Sequence, residues 1–381
     1  MQNNEQDNDL CFININDDKP SDSEYSLSES EFEGENEYIS EYGDDDENED
    51  SGKSKFFHIA FLFIALIFLI LIVVLLIKWS KGHDLVLDPN AQNDFDIETM
   101  DFYIHYDPTE VEGYQDDGEL NIVILGDDSM LNYEDETSIP SIIAKKTGGN
   151  VTTCALEGGV IATKVKGYSL DYTEDAYSLF YQATQITGGS DGSYDLMMAA
   201  WDYMDDPTKY YNYWDILHKV PFKRADVIII SYGINDYLDG FPILGDEVAP
   251  NQIYGLGTGT CAALNDVLVS MKNKFPYAQI LVVSPTMIKN KDKNGNMKGA
   301  DMVNTGNGTL GEYVAELAYF AGLNSVTFVD NYLGTPFNPD TYESYLEEDG
   351  RTPNAEARQM LADHIIDNFY FNRDNNVSDE K

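Results

Sequence analysis

From Leu120 onward the chain alternates short apolar runs with stretches of helical period. The runs Asn121–Leu125, Val151–Ala155, Val227–Ser231, Ile280–Ser284 and Val326–Val329 are rich in Val and Ile and lack strict polar alternation. A strand that is apolar on both sides needs cover on both faces, so these runs point to a parallel sheet held between helices. Helix candidates fall between them at Ser138–Lys146, Tyr172–Gln185, Gly259–Asn273, Leu310–Ala321 and Ala355–Asn368. Five strand–helix repeats predict an α/β fold, a three-layer α/β/α sandwich around a doubly wound, mainly parallel five-stranded sheet. Ligands of such sheets bind beyond the carboxyl ends of the strands, and the segments just after the strands are where chemistry is expected.

The pattern before Leu120 is different. Phe56 to Ile77 is a run of 22 uncharged residues whose single polar side chain is His58, with Lys53 and Lys55 before it and Lys78 and Lys81 after. As a helix it would span roughly 33 Å, enough to cross the hydrocarbon core of a bilayer. It reads as a transmembrane signal-anchor, since the preceding region is long and acidic and no small-residue cleavage pattern follows. Residues 1–52 hold 19 Asp or Glu against one Lys. Such a segment cannot bury enough apolar surface to offset its chain entropy and reads as a disordered acidic tail. Residues 82–119 show no clear period and are taken as a linker that then packs along the domain at 120–372, with 373–381 as a C-terminal tail.

Charge narrows the partners. The net charge is −45; a surface of that sign repels phosphate backbones, which argues against nucleic acid. Cys11 lies in the tail, while Cys154 and Cys261 sit apart in apolar settings, so the three cysteines supply no disulfide framework. Asn290–Gly299 reads as an exposed turn or hairpin. Its Asp292, Asn294 and Asn296 faintly echo a calcium loop but lack the terminal Glu, so no metal is assigned, and no cofactor is called for. Between Tyr194 and Trp214, aromatics including Trp201, Tyr203 and Tyr211 alternate with Asp202, Asp205 and Asp206. That pattern suits either sugar stacking or the cover of a helix against the sheet.

Three blocks follow the strands or open the last helix: Gly126-Asp127-Asp128-Ser129, Gly233-Ile234-Asn235-Asp236, and Asp349-Gly350-Arg351-Thr352-Pro353-Asn354. Their order and spacing resemble the SGNH/GDSL hydrolase family (GDSL-like lipases and acylhydrolases). In that family the first block supplies a nucleophilic serine, the second an oxyanion-hole asparagine, and the last an orienting acid with a general base three residues on. The resemblance implies that Asn235 is the oxyanion asparagine, with Gly126, Asp127, Gly233 and Asp236 as supporting motif positions. A further family glycine, whose N–H joins the hole, aligns with Gly158 in Cys154-Ala155-Leu156-Glu157-Gly158-Gly159, with Gly159 one step away.

Two positions depart from the pattern. The serine position holds Asp128 and the histidine position holds Thr352, which has no basic nitrogen. Ser129 could take over only through a local bulge, because a one-residue shift turns a side chain by about 100° at the start of a helix. Asp128 in the slot is the favoured reading, and an Asp there can also cap a helix N-terminus. Asp349 keeps the place of the orienting acid. His105, His218 and His364 lie away from the blocks and read as structural.

The resemblance therefore implies a membrane-anchored esterase-type scaffold, a pseudoenzyme that acts on or binds acylated cell-envelope polysaccharide. The lysines flanking Phe56–Ile77 are equal in number and leave orientation open. Membrane-tethered relatives with this layout work on envelope material, which implies a cytoplasmic N-terminus and an extracytoplasmic C-terminal domain in the cell membrane. Two alternatives stand beside this reading: an active ester hydrolase or O-acetyl transferase using Ser129, and an interaction protein whose cytoplasmic acidic tail recruits an unidentified basic partner.

Overall fold

The apolar runs assemble into one parallel sheet. The structure, a computed structural model, describes residues 99–131, 136–188, 195–245, 257–334 and 341–372, all within a compact unit spanning Asp94–Lys381. The expected acidic tail, membrane helix and C-terminal tail lie outside the described residues, as does the first part of the linker. Among the described residues no helix is long and apolar enough to cross a membrane.

Strands β1 (Asn121–Gly126), β2 (Asn150–Ala155), β3 (Val227–Ser231) and β4 (Gln279–Val283) form the sheet with β7 (Thr327–Val329), in the order β2-β1-β3-β4-β7 with every pair parallel. A short antiparallel hairpin, β5 (Lys289–Lys291) with β6 (Met297–Gly299), stands apart from it, where a turn or hairpin was expected. Residues of β3 and β4 are buried along their full length. That pattern needs helices on both faces, as the unbroken Val and Ile runs anticipate.

The helices are α1 (Ile139–Thr147), α2 (Leu179–Gly188), α3 (Asp195–Ala200), α4 (Thr208–Leu217), α5 (Ile234–Asp239), α6 (Thr260–Lys274), α7 (Leu310–Leu323) and α8 (Ala355–Asp367). α1 packs against α8, while α2, α6 and α7 form a neighbouring series. Their ends carry ordinary signals. Ser138 caps α1 through Ser141 N–H, and α1 stops at Gly148 in the left-handed region. Thr309 and Glu312 form a capping box on α7, and Asn354 caps α8 through Ala357 N–H.

The expected helix Tyr172–Gln185 divides into a 3₁₀ stretch, Leu170–Tyr177, followed by α2. Tyr172 is non-helical inside the 3₁₀ stretch, and Ser178 leaves the helical region between the two. The aromatic segment is helical in α3 and α4 and serves two ends. Tyr210 and Tyr213 are buried in the core, whereas Tyr203 and Tyr211 are about half exposed. Residues 99–104 run along the sheet edge, with an antiparallel bridge between Phe102 and Phe328 of β7.

The order 2-1-3-4 reverses direction between β1 and β3. Neighbouring chain segments diverge there at the carboxyl ends, leaving a crevice in which a site can sit. The first and third strands deliver the Gly126 and Gly233 blocks to that crevice.

Candidate active site

β1 ends at Gly126, packed so closely against the turn after it that a Cβ there would stand 2.6 Å from Cβ of Met130. Only glycine lets the chain fold back at once into the 3₁₀ turn Asp128–Met130. Asp127 caps this turn: its Oδ1 accepts from Ser129 N–H at 3.0 Å and from Ser129 Oγ at 2.8 Å. Asp127 is 2% exposed, and loss of water pushes its carboxyl up to about 7, against the pull of the Ser129 hydrogen bonds.

The turn points Asp128 towards the loop after β2. There Gly158 adopts φ +73, a conformation other residues rarely take, and aims its N–H at Asp128 Oδ2, 2.9 Å away. The same Oδ2 accepts from Asn235 Nδ2 at 2.7 Å. Asn235 stands in the first turn of α5, just past β3, and its amide also donates to the Gly159 carbonyl at 3.0 Å. That second bond fixes which edge of the amide faces Asp128. Gly159 N–H is turned inward to the Leu156 carbonyl, so Gly158 is the glycine of the pair whose N–H reaches this point.

Asp236, the next residue, is fully buried and does structural work. Its carboxylate accepts from Ile161 N–H at 2.9 Å, Ala162 N–H at 3.0 Å and Thr260 Oγ1 at 3.2 Å, tying the loop after β2 to the start of α6. Burial raises it to about 6 despite these donors.

The third block approaches from the other side. Lys289 N–H of the β5–β6 hairpin donates to the Gly350 carbonyl, and Arg358 anchors the block through the Pro353 carbonyl at 2.6 Å and the Thr137 carbonyl at 2.9 Å. Thr352 donates its hydroxyl to Asp349 Oδ2 at 2.6 Å, and the N–H groups of Thr352 and Arg351 reach Asp349 Oδ1. Burial pushes Asp349 up, but these donors and the Arg351 charge outweigh it and hold the carboxyl below its ordinary range. Thr352 thus stands on Asp349 as an oriented base would, without a basic atom.

All three blocks meet around a cavity of about 180 Å³ lined by Asp127, Asp128, Ser129, Asp349, Arg351 and Thr352, among others. No histidine is in its wall among the described residues. His364 engages Asp101 at 3.0 Å and Asn331 at 3.1 Å, and His218 stacks on Trp214 at 4.0 Å between centroids. Ser129 reaches the cavity with its hydroxyl on Asp127 and 3.3 Å from Ser231 Oγ. Ser231 and Arg351 were not singled out from sequence. Ser231 is the single hydroxyl ending an otherwise apolar strand, a signal that a polar residue faces the crevice. Arg351 donates to Asn290 Oδ1 at 3.3 Å and adds a cation to a wall of carboxylates; it was legible only as a spacer inside its block. Among the described residues no group of three or more His, Cys, Asp or Glu side chains is placed to hold a metal ion.

No family model matches the chain, and no curated protein matches it. Solved structures do. They include a protein described as a possible lipase from Chitinophaga pinensis, 16% identical with a TM-score of 0.40 over 65% of this chain and 97% of that one. The acetyl xylan esterase AlAXEase is 15% identical with a TM-score of 0.38 over 65% and 98%. A protein described as a GDSL-like lipase from Bacteroides ovatus is 12% identical with a TM-score of 0.37 over 65% and 96%. With every TM-score below 0.5 and every identity below 20%, these likenesses carry no argument about what this chain does. The strand order, and the delivery of the ordered blocks to the carboxyl ends of β1, β2 and β3 and to the start of α8, agree with the α/β layout expected from the sequence.

Proposed function

We propose that this chain is a membrane-anchored protein of esterase fold whose site binds acylated cell-envelope glycans without hydrolysing them. One observation carries the reading: Asp128 Oδ2 accepts both the Gly158 N–H and the Asn235 amide. Those two donors would receive the oxyanion of an acyl-transfer intermediate, and each such donor is worth about 3 kcal/mol to a working enzyme. Here they are spent on a resident carboxylate, at about 1.5–3 kcal/mol per charge-assisted bond. A substrate carbonyl would have to displace that anion to be polarised. The Thr352 hydroxyl, lacking a basic nitrogen, cannot take a proton from any nucleophile at neutral pH. What persists is a small cavity with oriented donors and acceptors.

The test is repair. Asp128→Ser together with Thr352→His should hydrolyse p-nitrophenyl acetate at least about 10²-fold faster than the parent, with either single substitution far behind, because nucleophile and base act as a unit. Robust turnover by the parent would sink the reading. In the same frame the acidic tail is cytoplasmic and the folded domain lies outside. Protease added to intact cells should then remove a C-terminal tag and spare an N-terminal one.

A second reading rests on Ser129, which donates to a buried Asp127 poised at about 7. A carboxylate at that poise can accept a hydroxyl proton. This reading requires a fluorophosphonate to label Ser129 covalently, and peptide mapping that finds that serine unmodified closes it.

A further inference from the structure

Asp128 has two carboxylate oxygens in different circumstances. Oδ2 is held by Gly158 and Asn235, while Oδ1 has no hydrogen bond among the described residues, and the side chain lines the 180 Å³ cavity. We propose that Asp128 is itself a nucleophile, towards small alkyl electrophiles rather than acyl groups, and that the site captures them as an ester of its own side chain. The proposal rests on the reading that Oδ2 fills the place of an oxyanion.

The chemistry follows from which oxygen is tied. A lone pair on Oδ1 attacks the carbon of an alkyl halide; the new C–O bond forms as the carbon–halogen bond breaks, and halide departs with the bonding pair. Asp128 becomes a neutral alkyl ester whose carbonyl oxygen is Oδ2. That oxygen already lies between two N–H donors, where charge would develop if water added to the ester carbon. Release needs a base to take the proton of that water. Thr352 offers none, and Asp127 is engaged by the Ser129 N–H and hydroxyl rather than by the cavity, so the ester accumulates and capture stops after one equivalent. A histidine at position 352, oriented by Asp349 as the Thr352 hydroxyl is now, would complete the cycle. Water would add to the ester carbon, the alcohol would leave, and one oxygen from water would remain in the Asp128 carboxylate.

The experiment uses the purified chain and 1-bromobutane, with peptide mass mapping. The parent should gain one butyl group on the peptide carrying Asp128, and Asp128→Asn should lose that adduct. The asparagine keeps an oxygen to accept from Gly158 and Asn235, so an intact circular dichroism spectrum is expected and distinguishes lost reactivity from lost fold. Mapping also separates Asp128 from thiol alkylation at the cysteines. In H₂¹⁸O, Thr352→His should release butanol and leave ¹⁸O in the Asp128 peptide, which the parent does not acquire. No adduct on Asp128 in folded parent, or butylation spread equally over other carboxylates, overturns the proposal. The two readings fail separately. An unreactive parent that gains esterase activity on double repair refutes capture alone. Parent turnover of p-nitrophenyl acetate refutes the binding reading whatever the alkylation result.

Discussion

Asp127 shows how much a single residue of a motif can do besides chemistry. It caps the start of the turn after the first strand, orients Ser129 and sits in the cavity wall almost without water. Its folded pKa of about 7 lies above the unfolded value of about 3.9. Between those values the folded state binds more protons than the unfolded one. The resulting stability is fully present below about pH 4 and is lost as pH rises through about 7. Asp127→Asn keeps an oxygen acceptor for Ser129 and removes the titration. Urea unfolding at about pH 5 and about pH 8 should show a smaller fall in midpoint for the variant than for the parent; equal falls would mean that Asp127 does not titrate in this window. The blocks that carry Asp128, Asn235, Asp349 and Thr352 were picked out by their order along the chain, and the structure gathers them at one crevice. The destination of Asp128's carboxylate was not legible, because helix capping and occupation of the two donors use the same residue and differ only in side-chain direction.

Among elements, the strands were the most legible because burial on both faces demands an unbroken apolar run, and each expected run lies within two residues of an observed strand. α3, α4 and α5 were not assigned from sequence. α3 and α5 are six residues each, too short to show a period. In α4 the tyrosines face both core and solvent, which blurs the apolar stripe that would mark a helix. Residues 99–104 read as featureless because their order comes from distant partners. Phe102 exchanges backbone hydrogen bonds with Phe328, and Asp101 accepts from Asp330 N–H and contacts His364. Burial raises the Asp101 carboxyl, but the His364 and Asp330 bonds pull it below its ordinary range. Its contribution is therefore complete at neutral pH and is lost as pH falls through its lowered value. Asp101→Ala leaves the Asp330 N–H without its acceptor and should cost roughly 1–3 kcal/mol. Hydrogen exchange should quicken at the Phe102 and Phe328 amides and stay unchanged at Gly158; protection at Phe102 equal to the parent's would show that Asp101 does not hold this segment.

For the molecule as a whole, the sheet order places β2 at one end and β7 at the other. The bridge from Phe102 to Phe328 gives β7 a neighbour on its outer side. A bare parallel-sheet edge is a template for another chain's strand, and proteins that leave one uncovered risk edge-to-edge association. The stretch that leads into the domain is thus also its guard against self-association. A chain beginning at Tyr106 would lack that guard, whereas one beginning at Asp94 keeps it. Light scattering should find growing apparent mass for the shorter chain alone. The growth should be steeper in high salt, where the repulsion between acidic chains is screened and only the missing strand partner is left to decide the outcome.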